Sequence, residues 1–283
     1  MSEGPILLPM ASAGAGARLH VTRWPVAMPR AIVLIAHGLF EHAGRYAHVA
    51  ARLNGAGYRV VAIDHLGHGR SDGTRGFVPA FSVYRDGMDA LLAEVQAEWP
   101  RVPLLLLGHS MGGLIAVHHL LEHQAAYAAA AVSGPAILPA APPSALTIWI
   151  SRLLARVAPR LGVVALDGDG VSRDPAVVAA YKSDPLNYHG KIGARLAKEL
   201  FDAMAAAREG AAQLALPLLV QHGDADRMAA PAGGQYLFDH AGSADKRLLR
   251  YPGLFHEIYN EPEQAQVLSD LVAWFDAHVP QKA

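Results

Sequence analysis

The stretch Leu104-Leu105-Leu106-Leu107-Gly108-His109-Ser110-Met111-Gly112-Gly113 decides the fold. Four consecutive leucines predict a strand that is buried on both faces, as in a parallel sheet covered by helices. A helical pattern follows over residues 114–122. A G-x-S-x-G sequence can arise by chance in a glycine-rich turn, but between a strand and a helix it predicts a nucleophile elbow. Glycine is needed on either side of the serine there, because the tight turn crowds its neighbours.

Apolar runs and helical patterns alternate on both sides of this motif. Strands are predicted at Arg18–Trp24, Ala31–Ala36, Tyr58–Ile63, 104–107 and 216–220, with weaker candidates at 129–132 and 247–251. Helical spacing covers residues 46–53, 81–99, 114–122 and 263–278. This order predicts an α/β fold with a doubly wound, mostly parallel sheet. Ligands of such sheets bind at the carboxyl ends of the strands, so chemistry is expected in the loops that open at His37, Asp64, Ser110, Ser133, Gly223 and Pro252.

The alternation stops between residues 134 and 215, which predicts an inserted, mainly helical cap. The first part of the core is then 1–133 and the second part 216–283. The insertion opens with a proline-rich stretch that includes Pro139, Pro142 and Pro143. An amphipathic helix follows, with an apolar stripe at Leu146, Trp149, Ile150, Leu153, Leu154 and Val157. Such a stripe either packs the cap onto the core or forms an acyl-chain entrance in peripheral contact with lipid surfaces.

Composition limits the classes of function. The chain has 283 residues, a net charge of −1 and no cysteine. Its Lys and Arg residues are scattered, which argues against a nucleic-acid partner, and the lack of cysteine excludes disulfides and thiolate chemistry. The first residues carry Glu3 and no basic leader, and no apolar stretch reaches the roughly 20 residues of a membrane span, so we expect a cytoplasmic protein. Oligomeric state is not indicated by the sequence.

A serine nucleophile needs a base and an acid, which follow it in the order serine, acid, histidine in this kind of sheet. His256 lies between a predicted strand and the last predicted helix, whereas His240 and His278 lie within helical patterns and are expected at the surface. Two carboxylates, Asp224 and Asp226, follow the strand at 216–220. We prefer Asp226, because Asp224 directly follows a glycine and is placed to stabilise the turn, while both remain candidates.

Backbone N–H groups are expected to hold the negative oxygen that forms during acyl transfer. Met111 begins the helix after Ser110, and Leu39 follows the strand Ala31–Ala36, so their N–H groups predict a two-donor oxyanion hole. A metal-site interpretation exists for two groups of histidines, at 65 and 68 and at 118, 119 and 123. Neither group has a matching carboxylate pattern nearby in the sequence, so we expect no metal.

Four motifs together resemble one family, the monoacylglycerol lipase and lysophospholipase branch of the serine hydrolases, which has the α/β-hydrolase fold. Three of them are His37-Gly38-Leu39-Phe40-Glu41-His42-Ala43-Gly44-Arg45-Tyr46, Asp64-His65-Leu66-Gly67-His68-Gly69-Arg70-Ser71-Asp72-Gly73 and the elbow Gly108-His109-Ser110-Met111-Gly112-Gly113. The fourth, Tyr181-Lys182-Ser183-Asp184-Pro185-Leu186, resembles a cap motif. The likeness covers nearly the whole chain, and the elbow is its least specific part.

The resemblance implies a catalytic triad of Ser110, Asp226 and His256, oxyanion donors at Leu39 and Met111, and no cofactor. In the family, the positions of Glu41, Arg45 and Tyr181 lie near the glycerol end of the pocket, and an apolar cap receives the acyl chain. Tyr259 stands where mammalian members have a histidine, so this chain departs from the family at the head-group end. Candidate substrate-binding residues are Glu41, Arg45, Trp149, Tyr181 and Tyr259.

The sequence thus predicts a serine esterase that cleaves monoacylglycerols or similar single-chain esters through an acyl-enzyme. A short-chain carboxylesterase and a lysophospholipase are alternatives within the same chemistry. Ser110 argues against epoxide hydrolases and dehalogenases of this fold, which use an aspartate nucleophile. Peptidase and carbon-carbon hydrolase relatives keep the serine. A hydrolase-like protein that binds a ligand without turning it over is the alternative from another class.

Overall fold

The computed structural model of the protein describes residues 6–9, 16–139 and 144–279. The strands, in chain order, are β1 (Ile6–Pro9), β2 (Arg18–Trp24), β3 (Ala31–Ala36), β4 (Tyr58–Ile63), β5 (Leu104–His109), β6 (Ala129–Ser133), β7 (Gly162–Ala165), β8 (Lys191–Gly193), β9 (Leu218–Gly223) and β10 (Lys246–Tyr251). The helices are α1 (Ala47–Gly55), α2 (Ser82–Glu98), α3 (Met111–His123), α4 (Ala145–Val157), α5 (Pro175–Ser183), α6 (Ala194–Gly210), α7 (Pro231–His240) and α8 (Gln264–His278).

One eight-stranded sheet organises the molecule, in the order β1-β2-β4-β3-β5-β6-β9-β10. The six strands from β4 to β10 in this order run parallel. Strand β2 joins β4 antiparallel, and β1 joins β2 antiparallel. The predicted α/β fold with a doubly wound, mostly parallel sheet is therefore confirmed.

Helices cover both faces of the sheet, which explains the uninterrupted apolar runs of its strands. Ile32 and Leu34 of β3 belong to the core under α2 and α3, whereas Val33 and Ile35 belong to the core under α1 and α8. Successive side chains of a strand point to opposite faces, so a strand covered twice must be apolar throughout. Full burial of each such side chain contributes about 1.5–3 kcal/mol.

The predicted strand bounds agree with the structure at β2, β3 and β4. Strand β9 begins at Leu218, two residues later than predicted. Pro217 has no N–H to donate to a neighbouring strand, although its carbonyl accepts a hydrogen bond from the N–H of Ala130 at 2.9 Å. The apolar run in the sequence therefore starts before the hydrogen-bonded strand β9 does.

The segment between β6 and β9 forms a mainly helical insertion, as expected, with α4, α5 and α6. It also contains an antiparallel ribbon of β7 and β8 that the sequence did not indicate. Helix α6 packs against α3 of the core and against α4. The ribbon is short, and β7 is largely open to solvent, so it lacks the apolar alternation by which strands are recognised.

The apolar stripe of α4 faces mostly outward. Trp149 and Val157 are 62% and 69% exposed, and Ile150 and Leu153 are also exposed. Of the described residues on this helix, Ala155 is the one that is fully buried. Pro142, Pro143 and the side chain of Leu146 lie outside what the structure describes. In the described parts of the chain, no helix combines the length and apolarity needed to cross a bilayer.

Candidate active site

Ser110 occupies the predicted turn between β5, which ends at His109, and α3, which begins at Met111. Its φ angle of 54° is one of two positive values among the described non-glycine residues. Such a backbone costs about 1–3 kcal/mol and persists only when its surroundings hold it. The Ser110 N–H donates to Ser133 O at 2.9 Å, and its carbonyl accepts from the N–H groups of Leu114 and Ala136 at 3.2 and 3.1 Å.

Gly112 allows helix α3 to lie directly against strand β3. A Cβ atom at Gly112 would stand 2.0 Å from the carbonyl oxygen of Ala36 and 2.5 Å from that of His37. These neighbours are backbone atoms that cannot rotate away. We expect Gly112→Ala to lower the free energy of unfolding by about 3 kcal/mol or more, measured by urea denaturation followed by circular dichroism.

Gly55→Ala is the matched control, because Gly55 ends α1 and a Cβ atom there would meet nothing within 4 Å. We expect that variant to be unchanged or more stable by up to about 1 kcal/mol. Equal stability of the two variants would contradict the close packing of α3 on β3.

His256 lies in the loop that follows β10, at the same edge of the sheet as Ser110. Its Nε2 is 2.8 Å from Oγ of Ser110, and its Nδ1 is 2.7 Å from Oδ2 of Asp226. The imidazole is buried. The structure thus brings together the three side chains predicted from the sequence, in an order suited to passing a proton from the hydroxyl to the imidazole.

Asp226 is held by four hydrogen bonds. Besides His256, Oδ2 accepts from His222 Nε2 at 3.0 Å, and Oδ1 accepts from the N–H groups of Met228 and Ala229 at 2.8 and 3.0 Å. Burial alone would raise the pKa of Asp226, but His256 and these donors hold the pKa well below its ordinary range. Asp224 instead pairs with Arg250 at 2.7 Å on the surface and does not contact His256.

The charge on Asp226 sets the basicity of His256. Burial alone would lower the pKa of this imidazole, yet the carboxylate of Asp226, together with those of Glu257 and Glu41, more than offsets burial. The pKa of His256 therefore lies above its ordinary value of 6.5. A more basic imidazole is a better acceptor for the serine proton, provided that the pH is high enough to keep it neutral.

Leu39 and Met111 carry the two backbone N–H groups predicted to form the oxyanion hole. Both residues line the cavity that contains Ser110. Met111 is the first residue of α3, where N–H groups have no partner within the helix. Within the described ranges of the chain, neither N–H donates to a protein acceptor. Both are thus available to a developing oxyanion.

Two buried side chains hold the loop that carries Leu39. His37 Nδ1–H donates to the Gly38 carbonyl at 2.7 Å, and its Nε2 accepts from the His65 N–H at 2.9 Å. The Gly38 carbonyl and the Leu39 N–H belong to one rigid peptide unit, so His37 orients the proposed donor. Burial lowers the pKa of His37 to about 4, which keeps the ring neutral. Glu41 Oε1 accepts from the Gly38 N–H at 2.6 Å.

Glu41 and Arg45 belong to a buried ionic cluster. Arg45 Nη1 donates to Glu41 Oε2 at 2.7 Å, and its two terminal nitrogens donate to both oxygens of Glu257 at 2.6 Å. The pair lies in the interior and not at the surface, because Glu41 is buried and the Arg45 side chain is 11% exposed. The guanidinium also lies 4.9 Å from the ring centre of Tyr181.

A cavity of about 180 Å³ opens beside Ser110. Most of its walls are apolar and come from the cap, including Leu166, Ile192, Leu200, Phe201 and Met204. Glu41, Tyr181 and Glu257 form polar parts of the wall. Of the predicted substrate-binding residues, Glu41 and Tyr181 therefore face the cavity.

Three predicted substrate-binding residues do not line this cavity. Trp149 lies on the exposed face of α4, because the side of that helix that turns inward carries Ala155. Tyr259 is buried behind the cavity, where its hydroxyl donates to Gln221 Oε1 at 2.7 Å. Arg45 contacts the cavity wall indirectly, through Glu41, Glu257 and the ring of Tyr181.

Several residues of the site were not found from the sequence. His222 is a second donor to Asp226, Glu257 pairs with Arg45, and Ser133 Oγ lies 2.9 Å from His109 Nδ1. Glu257 directly follows His256, and Ser133 is in one of the loops expected to gather chemistry. The partners of Ser133 and Glu257 are 24 and 212 residues away in the chain, so no local spacing reveals those two contacts, whereas His222 lies only four residues before Asp226.

One of the two groups of histidines has a carboxylate beside it in space, although none lies near it in a matching sequence pattern. Helix α2 places the carboxylate of Asp89 beside His119 and His123 of α3. Thirty residues separate Asp89 from His119, and only the packing of α2 against α3 brings them together.

Comparisons with known proteins agree with this geometry. Residues 27–263 match the model of the family described as serine aminopeptidase, S33. The monoacylglycerol lipase of Mycolicibacterium smegmatis is 43% identical over 265 residues, which are 93% of this chain and 95% of that protein.

Two solved structures superpose on nearly the whole chain. The crystal structure of Paleococcus ferrophilus monoacylglycerol lipase has a TM-score of 0.84 and 30% identity, over 92% of this chain and 99% of that one. A soluble variant of the Saccharomyces cerevisiae monoglyceride lipase, in complex with a substrate analog, has a TM-score of 0.83 and 26% identity. The match covers 99% of this chain and 98% of that one. The chain therefore belongs to the serine aminopeptidase S33 family of α/β hydrolases, and within it to the monoacylglycerol lipase-like serine hydrolases.

Proposed function

We propose that this protein is a carboxylic-ester hydrolase that cleaves monoacylglycerols into a fatty acid and glycerol. The observation that carries the proposal is the hydrogen-bonded series Ser110–His256–Asp226 at the wall of a largely apolar cavity. The similarity to monoacylglycerol lipases over nearly the whole chain supports the same substrate class.

The proposed reaction proceeds through an acyl-enzyme. Ser110 Oγ attacks the ester carbonyl while its proton moves to His256 Nε2, and the N–H groups of Leu39 and Met111 hold the oxyanion. The glycerol oxygen leaves with the proton from His256. Water then gives a proton to His256 and attacks the acyl carbon, and His256 passes that proton to Ser110 Oγ as the fatty acid is released. Asp226 orients the imidazole and stabilises its charged form.

The walls of the cavity favour an ester with one long apolar group and one small polar group. Cap side chains such as Leu166, Ile192 and Met204 offer an apolar surface for the acyl chain. Glu41 and Tyr181 offer hydrogen-bonding groups near the glycerol end. Burial, with Glu257 and Glu41, raises the pKa of Tyr181 to about 12, so its hydroxyl stays neutral at working pH.

A substrate panel tests the proposal. We expect monoacylglycerols to be hydrolysed with a kcat/KM at least about tenfold above that for di- and triacylglycerols, lysophospholipids and acetate or butyrate esters. An optimum at acetate or butyrate would indicate a short-chain esterase instead. Failure of a fluorophosphonate to label Ser110, with no hydrolysis of any ester, would indicate a binding protein that lacks turnover.

The pH dependence of kcat/KM should reflect the raised pKa of His256. The reaction needs neutral His256 as the base, so the rate rises as pH increases through the pKa of this group. Because that pKa lies above 6.5, we expect the midpoint of the acid limb above pH 6.5 for a soluble ester. A midpoint below pH 6.5 would contradict the influence of Asp226 on the imidazole.

The exposed face of α4 supports a second part of the proposal, peripheral contact with lipid surfaces. The apolar side chains of α4 continue to Leu161 and Val164, which are also exposed, and Val164 lines the cavity as well. Arg152, Arg156 and Arg160 lie exposed along the same segment. An apolar face with flanking cations suits the surface of an anionic bilayer.

A double variant tests this contact. We expect Leu153→Ser with Val157→Ser to weaken binding to phosphatidylglycerol-containing vesicles by about tenfold, while hydrolysis of a soluble short ester changes less than about twofold. The control is Met28→Ser, because Met28 is 74% exposed on the core, outside the cap. Unchanged vesicle binding of the double variant, or equal loss in the control, would contradict this use of α4.

A further inference from the structure

Helices α2 and α3 bring three metal-binding side chains to one place, away from the candidate active site. Asp89 Oδ1 lies 2.6 Å from His119 Nδ1 and 3.3 Å from His123 Nε2. The three donor atoms all lie within 4.8 Å of one another. His119 is nine positions beyond Ser110, which corresponds to about 14 Å along the axis of α3.

The residue types and their spacing suit a divalent transition metal. Histidines four apart on a helix lie on one face, and two imidazoles with one carboxylate is a common donor set for zinc. Tetrahedral bonds of about 2.0–2.1 Å place neighbouring donor atoms roughly 3.3 Å apart. The distance between Asp89 Oδ1 and His123 Nε2 already has this value. The distance between Asp89 Oδ1 and His119 Nδ1 would need to increase by about 0.7 Å.

Tyr127 contacts the second ring nitrogen of His119, the one that does not contact Asp89. Its hydroxyl lies 2.8 Å from His119 Nε2. A histidine that binds a metal through Nδ1 carries its proton on Nε2 and donates it to a neighbouring oxygen. The hydroxyl oxygen of Tyr127 is placed to accept a hydrogen bond from that N–H.

The charges around the cluster favour a cation. Arg85 is the basic side chain that contacts it, and this guanidinium is shared among Asp86, Asp89 and Glu122. Three carboxylates and one guanidinium leave a net local charge of about −2 with neutral histidines. His119 is buried, whereas Asp89 and His123 are about one-third exposed, so an ion can reach the group from solvent.

We propose that Asp89, His119 and His123 form a binding site for one divalent transition metal ion, such as zinc, which ties α2 to α3. Water would complete the coordination at the exposed side. The site is separate from the ester chemistry, so binding is expected to stabilise the protein by mass action and is not needed for turnover.

The test is titration of the full-length protein, freed of metal with a chelator, with zinc chloride by calorimetry. We expect one zinc ion per chain at this site and an increase in Tm with zinc. Loss of a residue that supports a metal ligand weakens metal binding by about 10- to 100-fold. We expect His123→Ala and Asp89→Asn each to weaken zinc binding by more than this, and Tyr127→Phe to weaken it by about tenfold. Both ligand variants change partly exposed side chains, so the fold should persist.

His240→Ala is the matched control, because it removes an exposed histidine that lies at the end of α7 and outside the cluster. It should bind zinc as the parent protein does. The proposal is overturned if the parent protein binds no zinc, or if His123→Ala and Asp89→Asn bind it as tightly as His240→Ala. The three side chains would then form only a hydrogen-bonded contact between helices.

Discussion

Replacing Ser110 by alanine is expected to lower kcat/KM for monoacylglycerols by about 10⁴-fold or more. The substitution removes the hydroxyl oxygen at the cavity wall that lies 2.8 Å from His256 Nε2. A loss of this size corresponds to about 5 kcal/mol or more of transition-state stabilisation. Initial rates with a monoacylglycerol, together with circular dichroism to confirm folding, measure it.

Ser133→Ala is the matched control for this loss. Ser133 is buried at the same edge of the sheet, but its hydroxyl lies against His109 Nδ1 at 2.9 Å and does not line the cavity. We expect its activity to fall by less than about tenfold. Retained hydrolysis in Ser110→Ala, or an equal loss in both variants, would remove the proposed mechanism.

The parts of the fold that follow from local pattern could be predicted from the sequence. Strand β3 is apolar at every position and β4 at every position except Arg59, because both faces are buried, and their bounds can be read from the chain. Ser110, Asp226 and His256 could also be predicted, because each follows a strand and the carboxyl ends of parallel strands meet at one edge.

Contacts between distant segments could not be predicted. Glu257 and Arg45 are 212 residues apart, and the bidentate pair between them depends on how the loop after β10 packs over the start of α1. Asp89 reaches His119 only because α2 lies beside α3. Hydrophobic periodicity determines which face of a helix is buried but not which polar residues of two helices meet.

The exposure of the apolar stripe on the cap helix α4 could not be predicted from the sequence either. The stripe from Trp149 to Val157 has the spacing of a buried face, yet most of it is exposed. Periodicity shows that a helix is amphipathic and leaves open what its apolar side meets. In this molecule the choice is set by α6, which packs between α4 and the core helix α3.

Replacing Asp226 by asparagine is expected to lower kcat by about 10⁴-fold. The amide oxygen can still accept from the N–H groups of Met228 and Ala229, so the loop should keep its shape. The amide NH₂ then faces His256 Nδ1, which must act as acceptor. The imidazole proton moves to Nε2, where it blocks transfer from Ser110.

The same substitution removes the carboxylate that raises the pKa of His256. Residual activity of Asp226→Asn should therefore show an acid limb at lower pH than that of the parent protein. A purely structural defect would lower the rate without moving this limb. The rate and the limb midpoint together distinguish loss of charge from loss of fold.

Asp224→Asn supplies the control within the same loop. Asp224 pairs with Arg250 at the surface, and such exposed pairs contribute about 0–1 kcal/mol to stability, so its activity should change less than about twofold. Combining Ser110→Ala with Asp226→Asn should cost no more than Ser110→Ala alone, because the aspartate acts through the histidine on the serine hydroxyl. Additive losses, or an equal loss in Asp224→Asn, would show that Asp226 does not work as part of one unit with Ser110.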